Sequence, residues 1–217
     1  MTIKILLADD HAIVRHGLSK SIQSEKDMEV IGQTKDGLST IQMVRKLQPD
    51  VVIMDISMPD VNGMDATREI TRDFPKVKVL ALSMHSAKKF VSEMFKAGAC
   101  GYLLKDCEFD ELAAAIRTVI CGKSYLSPEI TDIIVDSYVI SPGDETSSVF
   151  STLTKRERQV LQLMAEGKTT KQIGLKLHIS PKTVEAHRLR VMEKLAFDNV
   201  AQLTKYAIQE GLTSPEP

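Results

Sequence analysis

Asp55 is the residue of this sequence whose surroundings best suit a chemical role. It ends the apolar run 51–54 (VVIM), and Pro59 interrupts regular structure four residues later. An unbroken apolar run of this kind is typical of a strand buried on both faces in a parallel sheet. Asp55 is then expected at the carboxyl end of the strand, where open α/β sheets bind their ligands. Taken alone, such an aspartate fits a turn former or helix cap equally well.

Polar side chains also end three other apolar runs, and these residues are Asp9, Asp10, Ser83 and Lys105. Carboxylates crowded at one edge of a sheet raise one another's pKa unless a divalent cation lies between them. Carboxylate oxygens suit Mg²⁺, and a lysine supplies positive charge for a phosphoryl oxygen. The set therefore fits an aspartate that accepts a phosphoryl group with the help of Mg²⁺.

Strand-like and helix-like segments alternate five times in the first part of the chain. The predicted strands are residues 3–8, 29–32, 51–54, 77–82 and 101–104, and the predicted helices are residues 12–23, 37–47, 63–74, 88–97 and 108–120. This alternation predicts a five-stranded, doubly wound parallel sheet with right-handed crossovers. Such a sheet brings the polar residues described above to one edge.

These motifs, in this order, resemble the receiver domain of bacterial two-component response regulators. The residues that carry the resemblance are Asp9-Asp10, Asp55 with Met58-Pro59 and Gly63, Ser83, and Gly101 to Lys105. The resemblance implies a flavodoxin-like fold for residues 1–122, with Asp55 as the phosphorylated residue.

The resemblance also assigns roles around the phosphorylation site. It implies that Mg²⁺ is held by Asp9, Asp10, Asp55 and the backbone carbonyl of Ser57. Ser83 and Lys105 are expected to contact the phosphoryl group, and Tyr102 to change rotamer as Ser83 moves. Ser57 and His85 occupy positions that flank the phosphoryl group in such receivers, although His85 also fits a plain surface histidine.

The second part of the chain differs from the first in charge. Residues 151–217 hold 11 of the 28 Lys and Arg and 7 of the 29 Asp and Glu, which leaves a net charge of −5 for residues 1–150. The asymmetry predicts two domains with different partners. Residues 123–150 are interpreted as a linker, in which 128–139 have the spacing of a short amphipathic helix. Residues 141–148 are polar and turn-rich, which predicts a flexible joint.

The C-terminal region carries four segments with helical periodicity. Thr154 and Glu157 have the spacing of a capping box at the first of them. A second helix begins at Thr169 or Thr170, and Pro181 precedes a third helix over residues 183–195. A fourth is predicted over 199–210. Two helices joined by a tight turn, with basic residues on the second, are typical of a helix-turn-helix that binds DNA.

The third helix carries the candidate DNA contacts, which are Lys182, Thr183, Glu185, His187, Arg188, Arg190 and Lys194. Basic residues on an exposed helix bind phosphates and base edges in a major groove, although any solvated helix also carries charges. Glu185 fits either a hydrogen bond from a cytosine amino group or an ion pair with a neighbouring arginine.

Residues 153–157, 173–177 and 179–187 resemble the LuxR-type output domain, so the chain is identified as a member of the NarL/FixJ class of response regulators. The resemblance implies a LuxR-type helix-turn-helix DNA-binding domain over residues 151–217. It also implies a dimer contact through one face of the fourth helix, formed by Val200, Leu203 and Ala207. That face fits packing within its own domain equally well. Gly174 stands where alanine is usual, at a cost of about 1 kcal/mol, and a close approach between helices would explain it.

Composition excludes several other classes of protein. With 43% hydrophobic and 26% charged residues, the chain is typical of a globular protein. No apolar run approaches the roughly 20 residues that span a bilayer, and no signal-peptide pattern precedes the first strand. Cys100, Cys107 and Cys121 lack the spacing of a zinc site or a disulfide framework. We therefore expect a soluble, cytoplasmic protein with no membrane partner.

These observations predict a transcriptional regulator that is switched by phosphorylation. A histidine kinase is expected to donate the phosphoryl group to Asp55, and the phosphorylated protein to bind double-stranded promoter DNA as a homodimer. The resemblance to this family implies that the unphosphorylated receiver hinders the recognition helix, and that phosphorylation frees it. No enzyme activity is expected beyond self-phosphorylation and slow self-dephosphorylation. The alternatives are a regulator that binds DNA independently of phosphorylation and a Mg²⁺-dependent phosphotransferase or phosphatase with a separate substrate.

Overall fold

The computed structural model describes residues 2–140 and 149–214, with the side chains of residues 136–140 excepted. The predicted flexible joint at residues 141–148 lies outside the described residues. Within them, no helix combines the length and the apolar character needed to cross a bilayer.

The first part of the chain is a parallel sheet of six strands in the order β2-β1-β3-β4-β5-β6. The strands are β1 (Ile3–Ala8), β2 (Met28–Thr34), β3 (Val51–Met54), β4 (Lys78–Ser83), β5 (Gly101–Leu104) and β6 (Tyr125–Leu126). The sequence predicted five strands, and the count was wrong because β6 is a half-buried edge strand of two residues without an apolar run. Residues 125–126 form a strand because they pair with β5, and this pairing cannot be recognised from their own sequence.

Five helices connect these strands and cover both faces of the sheet. They are α1 (Ala12–Gln23), α2 (Gly37–Leu47), α3 (Gly63–Asp73), α4 (Lys88–Lys96) and α5 (Phe109–Ile120). One core, which includes Ile22 and Ile116, packs α1 and α5 against one face. The other core, which includes Val44, Ile70 and Met94, packs α2, α3 and α4 against the opposite face. The sheet is therefore buried on both sides, as its continuous apolar strands predict.

The remainder of the chain is helical. The helices are α6 (Pro128–Ile140), α7 (Val149–Thr152), α8 (Lys155–Ala165), α9 (Thr170–Leu177), α10 (Pro181–Leu195) and α11 (Val200–Gln209). Helices α8 to α11 correspond to the four helices predicted for the C-terminal region, and α6 corresponds to the short helix predicted over residues 128–139. Helix α7 is an additional single turn. Thr154 forms the predicted capping box with Glu157, and Pro181 opens α10. Leu161 of α8, Val191 of α10 and Leu203 of α11 belong to one shared core.

Candidate functional site

Two carboxylates and one lysine meet at the carboxyl edge of the sheet. Asp9 follows β1, Asp55 follows β3 and Lys105 follows β5. The Lys105 Nζ lies 2.8 Å from Asp9 Oδ2 and 2.8 Å from Asp55 Oδ2. Both aspartates are only 4% exposed. The parallel strands thus bring three residues that lie far apart in sequence into direct contact.

Asp10 completes an acidic cluster beside these residues. Ligand atoms of Asp9, Asp10, His11 and Asp55 all lie within 4.8 Å of one another. Asp10 Oδ1 is buried and accepts no hydrogen bond from the described residues, although His11 Nδ1 lies 2.7 Å away. Hard cations such as Mg²⁺ prefer oxygen ligands, among them carboxylate oxygens such as this one. The cluster therefore fits a divalent metal ion.

The environment of Asp55 disfavours its ionised form when no metal is bound. Burial is the main cause that raises the pKa of Asp55, Lys105 lowers the pKa, and the neighbouring Asp9 and Asp10 raise it. Together these effects move the pKa of Asp55 from 3.8 to about 6. Burial alone would lower the pKa of Lys105, but the Asp55 and Asp9 carboxylates leave it raised. A cation in the cluster would favour the ionised carboxylates.

His85 connects the other residues predicted at this site. Its backbone N–H donates to Ser83 Oγ at 3.1 Å, and its carbonyl accepts a hydrogen bond from the Tyr102 hydroxyl at 2.5 Å. Its Nε2 lies 3.0 Å from Ser57 Oγ, and its ring stacks on Phe90 with centroids 4.3 Å apart. Burial lowers the pKa of His85. His85 is therefore part of the site rather than a plain surface histidine.

Tyr102 is fully buried, and its hydroxyl lies beneath the backbone of His85. Burial of its hydroxyl raises the pKa of Tyr102 above its ordinary value. Ser83 is also fully buried, so the two residues for which a coupled movement was predicted lie around the same backbone segment. The structure shows one arrangement of this pair, and their movement stays a prediction.

The helix-turn-helix region packs directly against the loop that follows Asp55. Gln162 of α8 donates from Nε2 to the Met58 carbonyl at 2.8 Å, and its Oε1 accepts from the Asn62 backbone N–H at 3.2 Å. Nearby, Arg158 donates two hydrogen bonds to the buried Asp65 carboxylate. Lys155 also pairs with Glu69 of α3. These contacts were not predicted from the sequence, because nothing in either segment alone indicates its partner.

Helix α10 presents most of the predicted DNA contacts to solvent. Lys182, Thr183 and Arg190 are exposed, and the Arg188 side chain is 38% exposed. The receiver therefore does not cover this face of α10 within the described residues. Whether the unphosphorylated receiver hinders the recognition helix in another way is not tested by this exposure, and that expectation stays a prediction.

Three of the predicted DNA contacts, Lys194, Glu185 and Arg188, take part in interactions within the helical region. Lys194 Nζ lies 2.7 Å from Glu157 Oε2. Glu185 accepts a hydrogen bond from the Thr170 hydroxyl at 2.7 Å and lies 3.8 Å from Arg188. His187 is partly buried, and its Nδ1 makes no hydrogen bond with the described residues. Lys194 and Glu185 therefore contact other residues of the helical region. The arginine beside Glu185 agrees with the interpretation that Glu185 forms an ion pair with a neighbouring arginine.

The predicted dimer face needs correction. Leu203 is 1% exposed and Ala207 is fully buried, and both pack in the core shared by α8, α10 and α11. Only Val200, which is 40% exposed, remains available on that face. The apolar face of α11 is buried within its own domain. Leu203 and Ala207 therefore do not form a dimer contact in this conformation.

Known protein families match both the part of the chain that forms the sheet and the helical part that follows it. Residues 5–117 match the family described as response regulator receiver domain, and residues 151–207 match bacterial regulatory proteins, luxR family. The oxygen regulatory protein NreC of Staphylococcus carnosus is 40% identical over 214 residues, which cover 97% of this chain and 99% of NreC.

Two solved structures of RcsB are similar over nearly the whole chain. The structure of two RcsB dimers bound to two parallel DNAs is 26% identical, with a TM-score of 0.60 and coverage of 97% of this chain and 99% of RcsB. RcsB from Salmonella enterica serovar Typhimurium, bound to promoter rprA in the presence of phosphomimetic BeF3⁻, is 26% identical. Its TM-score is 0.62, and the match covers 95% of this chain and 98% of that one.

Proposed function

The chain belongs to the two-component response regulators with a LuxR-type DNA-binding domain, and we propose that it is a transcriptional regulator switched by phosphorylation of Asp55. The observation that carries this proposal is the Lys105 ammonium, which lies 2.8 Å from the carboxylates of both Asp9 and Asp55, beside the buried Asp10 Oδ1. The phosphoryl donor is a histidine kinase, as is typical of receiver domains.

Each residue at the sheet edge has a separate task in phosphoryl transfer. A carboxylate oxygen of Asp55 is the nucleophile, and Lys105 balances the negative charge of the incoming phosphoryl group. Ser83 donates a hydrogen bond to a phosphoryl oxygen. Asp9, Asp10, Asp55 and the Ser57 carbonyl would hold Mg²⁺, which would neutralise part of the negative charge of the phosphoryl group. Ser57 and His85 affect the rate at which water removes the phosphoryl group.

The phosphoryl group acts on the fold through Ser83 and Tyr102. When Ser83 moves to bind the phosphoryl group, it changes its contact with the His85 backbone, on which the Tyr102 hydroxyl also depends. The phosphoryl group therefore biases the receiver toward a second conformation, to the extent that the group interacts better with that conformation.

We assign residues 1–122 to the receiver, 123–150 to the linker and 151–217 to DNA binding. Helix α10 enters a major groove and contacts DNA through Lys182, Thr183, Arg188 and Arg190. By analogy with the DNA-bound RcsB dimers, the phosphorylated protein binds promoter DNA as a homodimer. Beyond self-phosphorylation and its slow reversal, the protein has no separate substrate.

Intact-mass spectrometry tests this proposal. The wild type and Asp55→Asn are incubated with acetyl phosphate and Mg²⁺, with and without a chelator. We expect one phosphoryl group on the wild type only, and only when metal is available. Asp10→Asn should bind Mg²⁺ more weakly in calorimetry, whereas Asp106→Asn, which changes an exposed carboxylate next to Lys105, should not. Equal labelling of Asp55→Asn would refute the assignment of the acceptor.

A further inference from the structure

A cavity of about 190 Å³ lies over Asp55, and both parts of the chain form its walls. On the receiver side, Ser83, His85 and Lys105 line the cavity beside Asp55. On the other side lies the end of the helix-turn-helix region, represented by Ile208, Thr213 and Ser214. We call residues 208–214 the C-terminal lid. Access to Asp55 therefore depends on the position of a segment that belongs to the DNA-binding part of the chain.

Specific contacts hold the lid on the receiver. Lys89 of α4 donates from Nζ to the Gln209 carbonyl at 2.6 Å and to Glu210 Oε1 at 3.0 Å. Gly211, with a φ of +65°, approaches the Phe90 ring so closely that a Cβ at this position would lie 2.6 Å from Phe90 Cε1. Phe90 in turn stacks on His85. The lid is thus anchored on residues that adjoin the phosphorylation site.

The size and lining of the cavity limit what it can bind. At about 190 Å³, it is smaller than the roughly 300–1,000 Å³ of ordinary ligand pockets. Lys105 places positive charge at the Asp55 end, while Met84 and Ile208 add apolar surface. These features suit a phosphate that carries one small acyl group. A protein donor must instead lay its own surface on this edge of the sheet, which the lid occupies.

We propose that the docked lid makes this cavity a binding site for small acyl phosphates, and that bulkier donors, including a protein phosphohistidine, reach Asp55 only after the lid leaves the receiver. The inference rests on the proposed function of Asp55. In the reaction, an Asp55 carboxylate oxygen attacks phosphorus. The bond between phosphorus and the acyl oxygen breaks, and the carboxylate leaves with the bonding electron pair.

Competing donors of different size test the inference in the full chain. Acetyl phosphate and benzoyl phosphate are used with Mg²⁺, and the ratio of their labelling rates is measured by intact mass. Lys89→Glu and, independently, Arg158→Gln weaken the docking of the lid without replacing a residue that lines the cavity. Lys96→Glu is the matched control, because Lys96 lies on the same helix and pairs with Glu93 of that helix.

We expect the acetyl-to-benzoyl ratio to fall several-fold in both docking variants and to stay at the wild-type value in Lys96→Glu. Because both donors carry the same phosphate group, a change in local charge affects both rates and largely cancels in the ratio. The exchange variant Lys89→Glu/Glu210→Lys should restore part of the wild-type ratio. An unchanged ratio in both docking variants overturns the inference alone. Absence of labelling by acetyl phosphate in every variant overturns the inference and the proposed function together.

Discussion

The Arg158 guanidinium and the Asp65 carboxylate form a bidentate ion pair between α8 and α3, with hydrogen bonds of 3.1 and 2.5 Å. The side chains are 7% and 2% exposed. Phe150 lies against the same guanidinium, 4.7 Å from ring centroid to Cζ. Paired guanidinium and carboxylate groups of this geometry fix orientation as well as contributing attraction. The pair therefore contributes both attraction and orientation to the docking of the DNA-binding part on the receiver.

Arg158→Gln should loosen this docking more than it unfolds either part. Removal of one partner from a buried ion pair costs roughly 3–5 kcal/mol if the other charge stays buried. Separation of the two parts rehydrates Asp65 and limits that cost. We expect a larger radius of gyration in solution scattering and faster hydrogen exchange in residues 58–65. Arg72→Gln, at an exposed pair on α3, is the control and should change neither measurement.

Asp55→Asn should stabilise the metal-free protein at neutral pH. The pKa of Asp55 is raised from 3.8 to about 6 in the fold, so its protonated form favours folding and its ionisation opposes it. The contribution to stability is complete below the unfolded pKa and is lost as the pH rises through 6. We expect the variant to unfold with a free energy roughly 1–3 kcal/mol higher at pH 7. In urea titrations with chelator, the difference should shrink toward pH 4, and a constant difference would contradict the predicted cause.

Gly174→Ala should destabilise the helix-turn-helix region, although alanine is the better helix former by about 1 kcal/mol. A Cβ at Gly174 would lie 2.8 Å from the Ile179 carbonyl oxygen, in the turn before α10. Close packing against this turn, rather than between two helices as expected, explains the glycine. Gly17→Ala in α1 is the matched comparison, because no atom among the described residues lies within 4 Å of its added Cβ. Thermal unfolding should show opposite signs for the two variants.

Arg190→Ala should weaken DNA binding and its dependence on salt. Arg190 is exposed on α10, so we expect it to contact phosphate, and loss of one such contact lowers the slope of log K against log salt by about 1. Lys205→Ala, which removes an exposed charge from α11 instead, is the control. Fluorescence anisotropy over a series of salt concentrations measures both slopes. Equal slopes for Arg190→Ala and the wild type would exclude a phosphate contact by Arg190.

The sequence alone determined the acidic edge of the sheet. Asp9, Asp55, Ser83 and Lys105 each follow a continuous apolar run, and parallel strands end at one edge whatever the details of packing. The capping box at Thr154 and the proline that opens α10 were readable for a similar reason, since each depends on residues close in sequence.

Only the tertiary structure decided how the two parts meet and what each apolar face covers. The face of α11 that contains Leu203 is apolar in sequence, but periodicity does not distinguish a dimer contact from the core in which it lies. Arg158 and Asp65 are 93 residues apart, and neither segment carries a local sign of the other. The lid over Asp55 depends in the same way on contacts between distant residues. Local sequence patterns indicate which residues are buried and in which kind of element. Which distant residues pack against one another depends on the free energy of the whole folded chain.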